Sequence, residues 1–342
     1  MTTLKRRKIG TTNLEVTELG LGGAPIGGFR ATISDAEANA LIDAAYDDGV
    51  RYFDTSPFYG YGRSELRMGT ALRQKPRDEY LLSTKVGRVL HAMRPGERPP
   101  ADFRDNGLPG FAPVFDYTYD GVMRSLEHSY LRLGLARIDI ALIHDVDFWT
   151  IKDRAILEER FKTVMDSGFK ALDELRKAGV VGAIGVGINE ADTSLRFIQA
   201  GDFDCMLLAG RYTLLEQGGL EAFLPECTKR NVSVILGGPY NSGILTGGVK
   251  AGATHDYVAA PAHLIEKAQK IEAVCQRHGV ELGAAAVQFP LFHPAVCSVI
   301  PGALSAAEVK QNVARLSAKI PVELWSELKR EKLLDPNAPT PN

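Results

Sequence analysis

Four side chains in this 342-residue sequence have the types and placement to share one proton-transfer site: Asp54, Tyr59, Lys85 and His144. Asp54 ends the apolar run Tyr52–Thr55, and the stretch FDTSPFYGYGRSE carries Tyr59 in the loop that follows. Lys85 stands in LLSTKVG and His144 in IALIHD, each near the end of another short apolar run. Each residue alone has a plainer role. An Asp after a strand caps turns and helices, a loop Tyr packs, a Lys snorkels, and a buried His can simply satisfy a core. Together they have a chemical logic. A free phenol ionises near pH ~10, too high for proton exchange at neutrality without help. An adjacent ammonium favours the phenolate, and a carboxylate holds that ammonium in place. An imidazole across the site can orient a substrate oxygen or relay its proton. In this reading Tyr59 is the acid/base, Lys85 its tuner, Asp54 the anchor of Lys85, and His144 the substrate-side donor. Such a set suits proton transfer at a carbinol or carbonyl coupled to hydride transfer, and it needs no metal. A Schiff-base role for Lys85 would leave Tyr59 and Asp54 without work.

The positioning elements follow from the apolar pattern. Short unbroken runs suit parallel strands buried on both faces: Glu18–Ala24, Tyr52–Thr55, Tyr80–Val86, Ile138–His144, Ala183–Ile188, Cys205–Ala209, Val232–Leu236 and Cys297–Ile300. Helical segments lie between them. Ser34-Asp35-Ala36-Glu37 is a capping box before an Ala-rich helix that stops at Gly49. Phe169–Lys177 ends at Gly179, and Leu264, Ala268, Ile271 and Cys275 repeat at helical spacing after Pro261. Strict alternation of strands and helices predicts a closed (β/α)8 barrel, a TIM barrel, in which the strand C-termini carry the chemistry. An open doubly wound sheet is the alternative, but GxGxxG with a later acidic residue is missing after the first strand. Residues 1–342 read as one domain. Residues 88–115 read as a long irregular loop over the barrel mouth, and 335–342 as a flexible tail.

Composition narrows the function classes. The chain is 45% hydrophobic and 24% charged with net charge −2, which argues against a nucleic-acid or membrane-surface partner. The basic cluster Lys5-Arg6-Arg7-Lys8 reads as a solvated end. Cys205, Cys227, Cys275 and Cys297 show no metal spacing and read as reduced thiols. With no signal peptide or bilayer-length apolar run, the expected location is cytoplasmic and the expected partner a small molecule.

FDTSPFYGYGRSE, STKVG, RSLEHSYLRLGLARIDIALIHD, GVGIN, PYNSGILTG and IPGALSAAEVKQN together resemble the aldo-keto reductase superfamily, in order, over residues 16 to 312. The resemblance implies a barrel that binds an extended nicotinamide dinucleotide without a Rossmann domain, and its catalytic tetrad falls on Asp54, Tyr59, Lys85 and His144. VFDYTYDGVMRSLEHS, LIHDVD and LLAGRYTLLEQ are similar to the branch containing D-threo-aldose 1-dehydrogenases, L-fucose dehydrogenases and pyridoxal 4-dehydrogenases. That branch oxidises a cyclic hemiacetal to a lactone, with Tyr59 as general base. The implied function is NAD-dependent oxidation of an aldose at C1. Pyridoxal 4-dehydrogenase, an NADPH-dependent aldehyde or ketone reductase, and a non-catalytic redox-sensing subunit are the alternatives.

Four positions depart from the family pattern. Ala209 and Gly237 stand where a Gln and a Tyr commonly hold the nicotinamide, so Asn189, Arg211 or Tyr240 would have to replace them. Gly302 and Glu308 stand where NADPH-using members place cations for the 2′-phosphate. A Glu repels a phosphate but can accept from a ribose 2′-hydroxyl, which predicts NAD over NADP. The pyrophosphate would lie over Asn241-Ser242-Gly243-Ile244-Leu245, where glycine lets backbone N–H groups approach. The resemblance also places Asn312 against adenine. Phe58, Phe148 and Trp149 are expected to stack on the substrate ring.

Overall fold

A computed structural model describes residues 3–29, 31–97, 109–250 and 252–341. Eight parallel strands form its central sheet in sequence order: Leu21–Gly22, Tyr52–Asp54, Leu81–Val86, Ile140–His144, Ala183–Ile188, Cys205–Ala209, Ser233–Gly237 and Val296–Ile300. The sheet closes where the first strand meets the eighth, through isolated bridges Leu19↔Val299 and Gly22↔Gly302. The fold is therefore a (β/α)8 barrel. The first strand is much shorter than its apolar run, because Gly23 turns off towards the Asp54 carbonyl and Pro25 opens a 3-10 turn.

The barrel interior is filled by Tyr52, Ile140, Leu142, Ala183, Cys205, Leu207, Ile235, Cys297 and Ile300. The base of this core includes Ile9 and Val16 from an N-terminal hairpin, Arg6–Lys8 paired with Glu15–Thr17. The basic cluster thus belongs to a folded hairpin, in which Arg7 bonds Glu18 and the Val296 carbonyl. The capping box forms as read: Ser34 Oγ accepts from the Glu37 N–H at 3.2 Å, and Glu37 accepts from the Ser34 N–H at 2.7 Å. The helix it starts spans Asp35–Asp47.

Two expectations need correction. The segment 88–115 is not an irregular loop throughout: Arg88–Ala92 and Phe111–Phe115 pair as an antiparallel hairpin, while residues 98–108 lie outside the described residues. The Pro and Gly residues between and within these two short strands obscured them in the sequence. Within residues 335–341 the chain is packed rather than frayed at Ala338, which is buried in the main core with its N–H bonded to the Asp335 carbonyl, while residue 342 lies outside the described residues.

Candidate active site

The second, third and fourth strands end side by side, and their last side chains converge. Lys85 Nζ donates to Asp54 Oδ2 at 2.7 Å and to the Thr55 carbonyl at 3.0 Å. The other Asp54 oxygen accepts from Ser83 Oγ at 2.7 Å, and Ser83 Oγ stands 3.0 Å from the Tyr52 hydroxyl. Lys85 is 1% and Asp54 2% exposed, so this is a buried ion pair with its remaining hydrogen-bonding capacity satisfied from the barrel interior. Burial opposes the Lys85 charge, but attraction to Asp54 and Tyr59 prevails and raises its pKa above the ordinary lysine value. The ammonium lies 4.5 Å from the Tyr59 ring centroid. Burial pushes the Tyr59 phenol up to about 12, against the downward pull of Lys85. The tuning expected of Lys85 is present, and in this site burial outweighs it.

The loop carrying Tyr59 is fixed by close backbone approach. Gly60 has φ +65°, and a Cβ there would stand 2.1 Å from the Gly27 carbonyl oxygen. Ser64 Oγ donates to the Gly23 carbonyl and accepts from Thr55 Oγ1, both at 2.8 Å. Fully buried Glu65 accepts from Thr84 Oγ1 at 2.7 Å and pairs with Arg132. The polar end of FDTSPFYGYGRSE therefore locks the following helix, Arg63–Leu72, onto the first and third strands and the Tyr119–Leu133 helix.

His144 stands edge-on to both Tyr59 and Phe58, with ring centroids 5.9 and 6.0 Å away. Its Nδ1 is 3.0 Å from Ser56 Oγ and its Nε2 is 3.3 Å from Asp145 Oδ2. Burial, helped by the cations of Arg88 and Lys85, holds its pKa well below the ordinary histidine value. The imidazole is neutral at physiological pH and can donate one hydrogen bond without carrying charge.

Three residues at this site were not singled out from the sequence: Ser56, Arg88 and Asp145. Arg88 begins the hairpin, pairs with Asp145 and lies over the Phe58 ring at 3.7 Å. Asp145 adopts φ +52°, an uncommon backbone state for a non-glycine residue. Burial raises its carboxyl to about 6; Arg88 opposes that shift and Asp147 adds to it. The available signal was adjacency: an acid directly after His144, and an Arg just beyond Lys85. Because an ionised Asp145 holds Arg88 over the Phe58 ring beside His144, kcat/KM should fall as pH drops through about 6, and Asp145→Asn should abolish that limb. A limb that persists in the variant would assign it to another group.

A groove of about 310 Å³ runs from Asp54 and Tyr59 to Gly302 and Glu308. Ala209, Gly237, Tyr240, Ser242 and Gly243 also line it, so both departures from the usual nicotinamide contacts sit on its wall. Among the described residues, no Lys or Arg lines it. The groove offers glycine-rich backbone, Tyr59 at one end and a carboxylate at the other, which fits a nicotinamide dinucleotide. Glu308 also accepts from the Leu304 N–H at 2.9 Å, capping its own helix. Phe29 and Tyr257 meet at this groove, ring edge to face, with centroids 4.6 Å apart.

Other expected contacts lie elsewhere. Asn189 is committed to acids, donating to Asp145 at 3.2 Å and Asp147 at 3.0 Å, and Arg211 forms a two-pronged pair with Asp256. Asn241 is buried, bonded to Glu216 and the Gly210 carbonyl. Leu245 is in the core, and Asn312 accepts from the Tyr240 hydroxyl at 2.7 Å. Phe148 and Trp149 do not line the groove; they lie beneath Arg154 and Lys152 respectively. Their strand-end position suggested the site, but Asp147 caps them into the short helix Phe148–Ile151, which does not line the groove.

This barrel and strand-end constellation agree with a family assignment: the chain belongs to the aldo/keto reductase family, whose model matches residues 18–331. It is an oxidoreductase that works with a nicotinamide cofactor. Among characterised relatives, pyridoxal 4-dehydrogenase of Microbacterium luteolum is 43% identical over 96% of this chain and 98% of its own length. D-threo-aldose 1-dehydrogenase of a Pseudomonas species is 37% identical over 96% of both chains. The holo form of aldo-keto reductase AKR11C1 from Bacillus halodurans superposes with TM-score 0.73 at 22% identity, covering 97% of each chain, a likeness of fold. Among the described residues, no helix is long and apolar enough to cross a membrane.

Proposed function

We propose that this protein oxidises a cyclic hemiacetal to its lactone with NAD, an aldose at C1 being the first substrate class. The carrying observation is the Asp54–Lys85–Tyr59 chain facing neutral His144 at the end of a groove that no described Lys or Arg lines. Nicotinamide, when bound, supplies the hydride acceptor and a positive charge near the phenol. Tyr59 takes the hydroxyl proton of the substrate carbon, and Lys85 stabilises the phenolate state from which it acts. Asp54 keeps Lys85 charged and aimed. His144 donates to the substrate oxygen, while Phe58 walls the ring and Asp145 offers an acceptor to a neighbouring hydroxyl. Pyridoxal is the second reading, favoured by the 43% identical relative.

The test is absorbance of reduced nicotinamide with NAD or NADP against a panel of aldoses and pyridoxal. Reduction of NAD by one class assigns the substrate; aldehyde reduction with NADPH alone would overturn the reading. Glu308→Lys should raise kcat/KM for NADP by about tenfold, equivalent to ~1.4 kcal/mol. An unchanged NAD-to-NADP ratio would remove Glu308 from cofactor selection.

A further inference from the structure

We infer that Ser56 sets the tautomer of His144, holding the proton on Nε2, and is thus a positioning residue for the reaction proposed above. Ser56 is completely buried. Its Oγ has two partners among the described residues: the Phe58 N–H at 3.1 Å and His144 Nδ1 at 3.0 Å. The Phe58 amide can only donate, so it occupies a lone pair of Oγ. The hydroxyl proton then needs an acceptor, since a buried donor left unpaired is costly. Nδ1 is the acceptor within reach, and it accepts only if it carries no proton.

On the far side of the ring Nε2 lies 3.3 Å from Asp145 Oδ2 without a hydrogen bond between them, so the protonated Nε2 stays available to the substrate oxygen. The Ser56 end therefore specifies Nδ1 bare and Nε2–H, and the opposite tautomer would leave the Ser56 proton without a partner. Ser56 belongs to the same short loop as Tyr59. The acid/base residue and the group that orders its opposite donor are therefore placed by one turn of chain.

The test is ¹⁵N NMR of the histidine side chains in full-length protein at neutral pH. The chain holds seven histidines, and the His144 signals are assigned by their loss in His144→Asn. The expected wild-type pattern is an unprotonated Nδ1 and a protonated Nε2. Ser56→Ala should shift the ring towards a mixture or the other tautomer and lower kcat by at least about tenfold with KM little changed; Ser56→Thr should restore both. A protonated Nδ1 in the wild type would overturn the inference, with no variant required to fold. An unchanged tautomer in Ser56→Ala would also overturn it, leaving Ser56 as a turn residue only. The spectrum does not depend on turnover: the expected pattern in a protein inactive with every dinucleotide and substrate pair would reject the proposed function and keep the tautomer assignment.

Discussion

Tyr59→Phe is expected to lower kcat by about a hundred- to ten-thousand-fold while changing dinucleotide affinity by less than about twofold. The substitution removes one oxygen and keeps the ring, so the edge-on contact with His144 and the packing beneath Phe58 persist. What disappears is the atom that receives the substrate proton. Lys85 cannot substitute, because its ammonium is already committed to Asp54 and the Thr55 carbonyl and its pKa is raised. His144 cannot substitute either, since its pKa is held well below the ordinary value. Stopped-flow absorbance and a fluorescence titration with the dinucleotide would measure the two quantities separately. Turnover within tenfold of wild type would show that the proton leaves by another route.

Asp54→Ala is expected to destabilise the fold by about 3–5 kcal/mol, because it strands the buried Lys85 ammonium without a counter-charge. The double variant Asp54→Ala/Lys85→Met should recover part of that loss, since neither charge then needs solvation. Urea unfolding monitored by circular dichroism gives both numbers, and a double variant no more stable than Asp54→Ala would mean that the pair is not the source. The pH dependence has a definite sign. Lys85 has a folded-state pKa above its ordinary 10.5. Its contribution to stability is therefore complete below 10.5 and is lost as pH rises through the raised folded value.

The barrel was legible because each parallel strand is buried on both faces and reads as a short apolar run. The four strand-end side chains were legible because strand C-termini in such a fold converge. Features that depend on bends between elements were not. Asp145 reaches His144 through a left-handed backbone turn, and Arg88 through a hairpin whose strands are separated by residues 93–110. Adjacency marks both residues in the sequence, but the direction in which each side chain turns is set by those bends and is not shown by a one-dimensional pattern. Phe148 and Trp149 were drawn towards the site by position, yet the Asp147 cap folds them into a short helix that does not line the groove. Glu308 carries two signals at once: the capping geometry is visible in Ser305 and Leu304, and the groove wall is visible only in three dimensions. The N-terminal hairpin was hidden because its three-residue strands present mainly charged side chains.

The seam between the first and eighth strands makes the barrel a hoop with one thin weld. Seven neighbouring pairs share runs of consecutive partners, one of them with a register shift between Val234 and Ile235, whereas this one is held at Leu19–Val299 and Gly22–Gly302. The groove lies across that weld, touching Gly22 and Gly23 on one side and Ile300, Pro301 and Gly302 on the other. Occupancy of the groove would brace the hoop where it is weakest, so loading becomes a mechanical event as well as a chemical one. Amide exchange at Gly20, Gly22 and Val299, whose N–H groups bridge the weld, should slow more than exchange on the opposite side of the barrel. Dinucleotide at a hundred times its Kd should add about 2.7 kcal/mol to global stability, and the first amides to record it should be those at the weld.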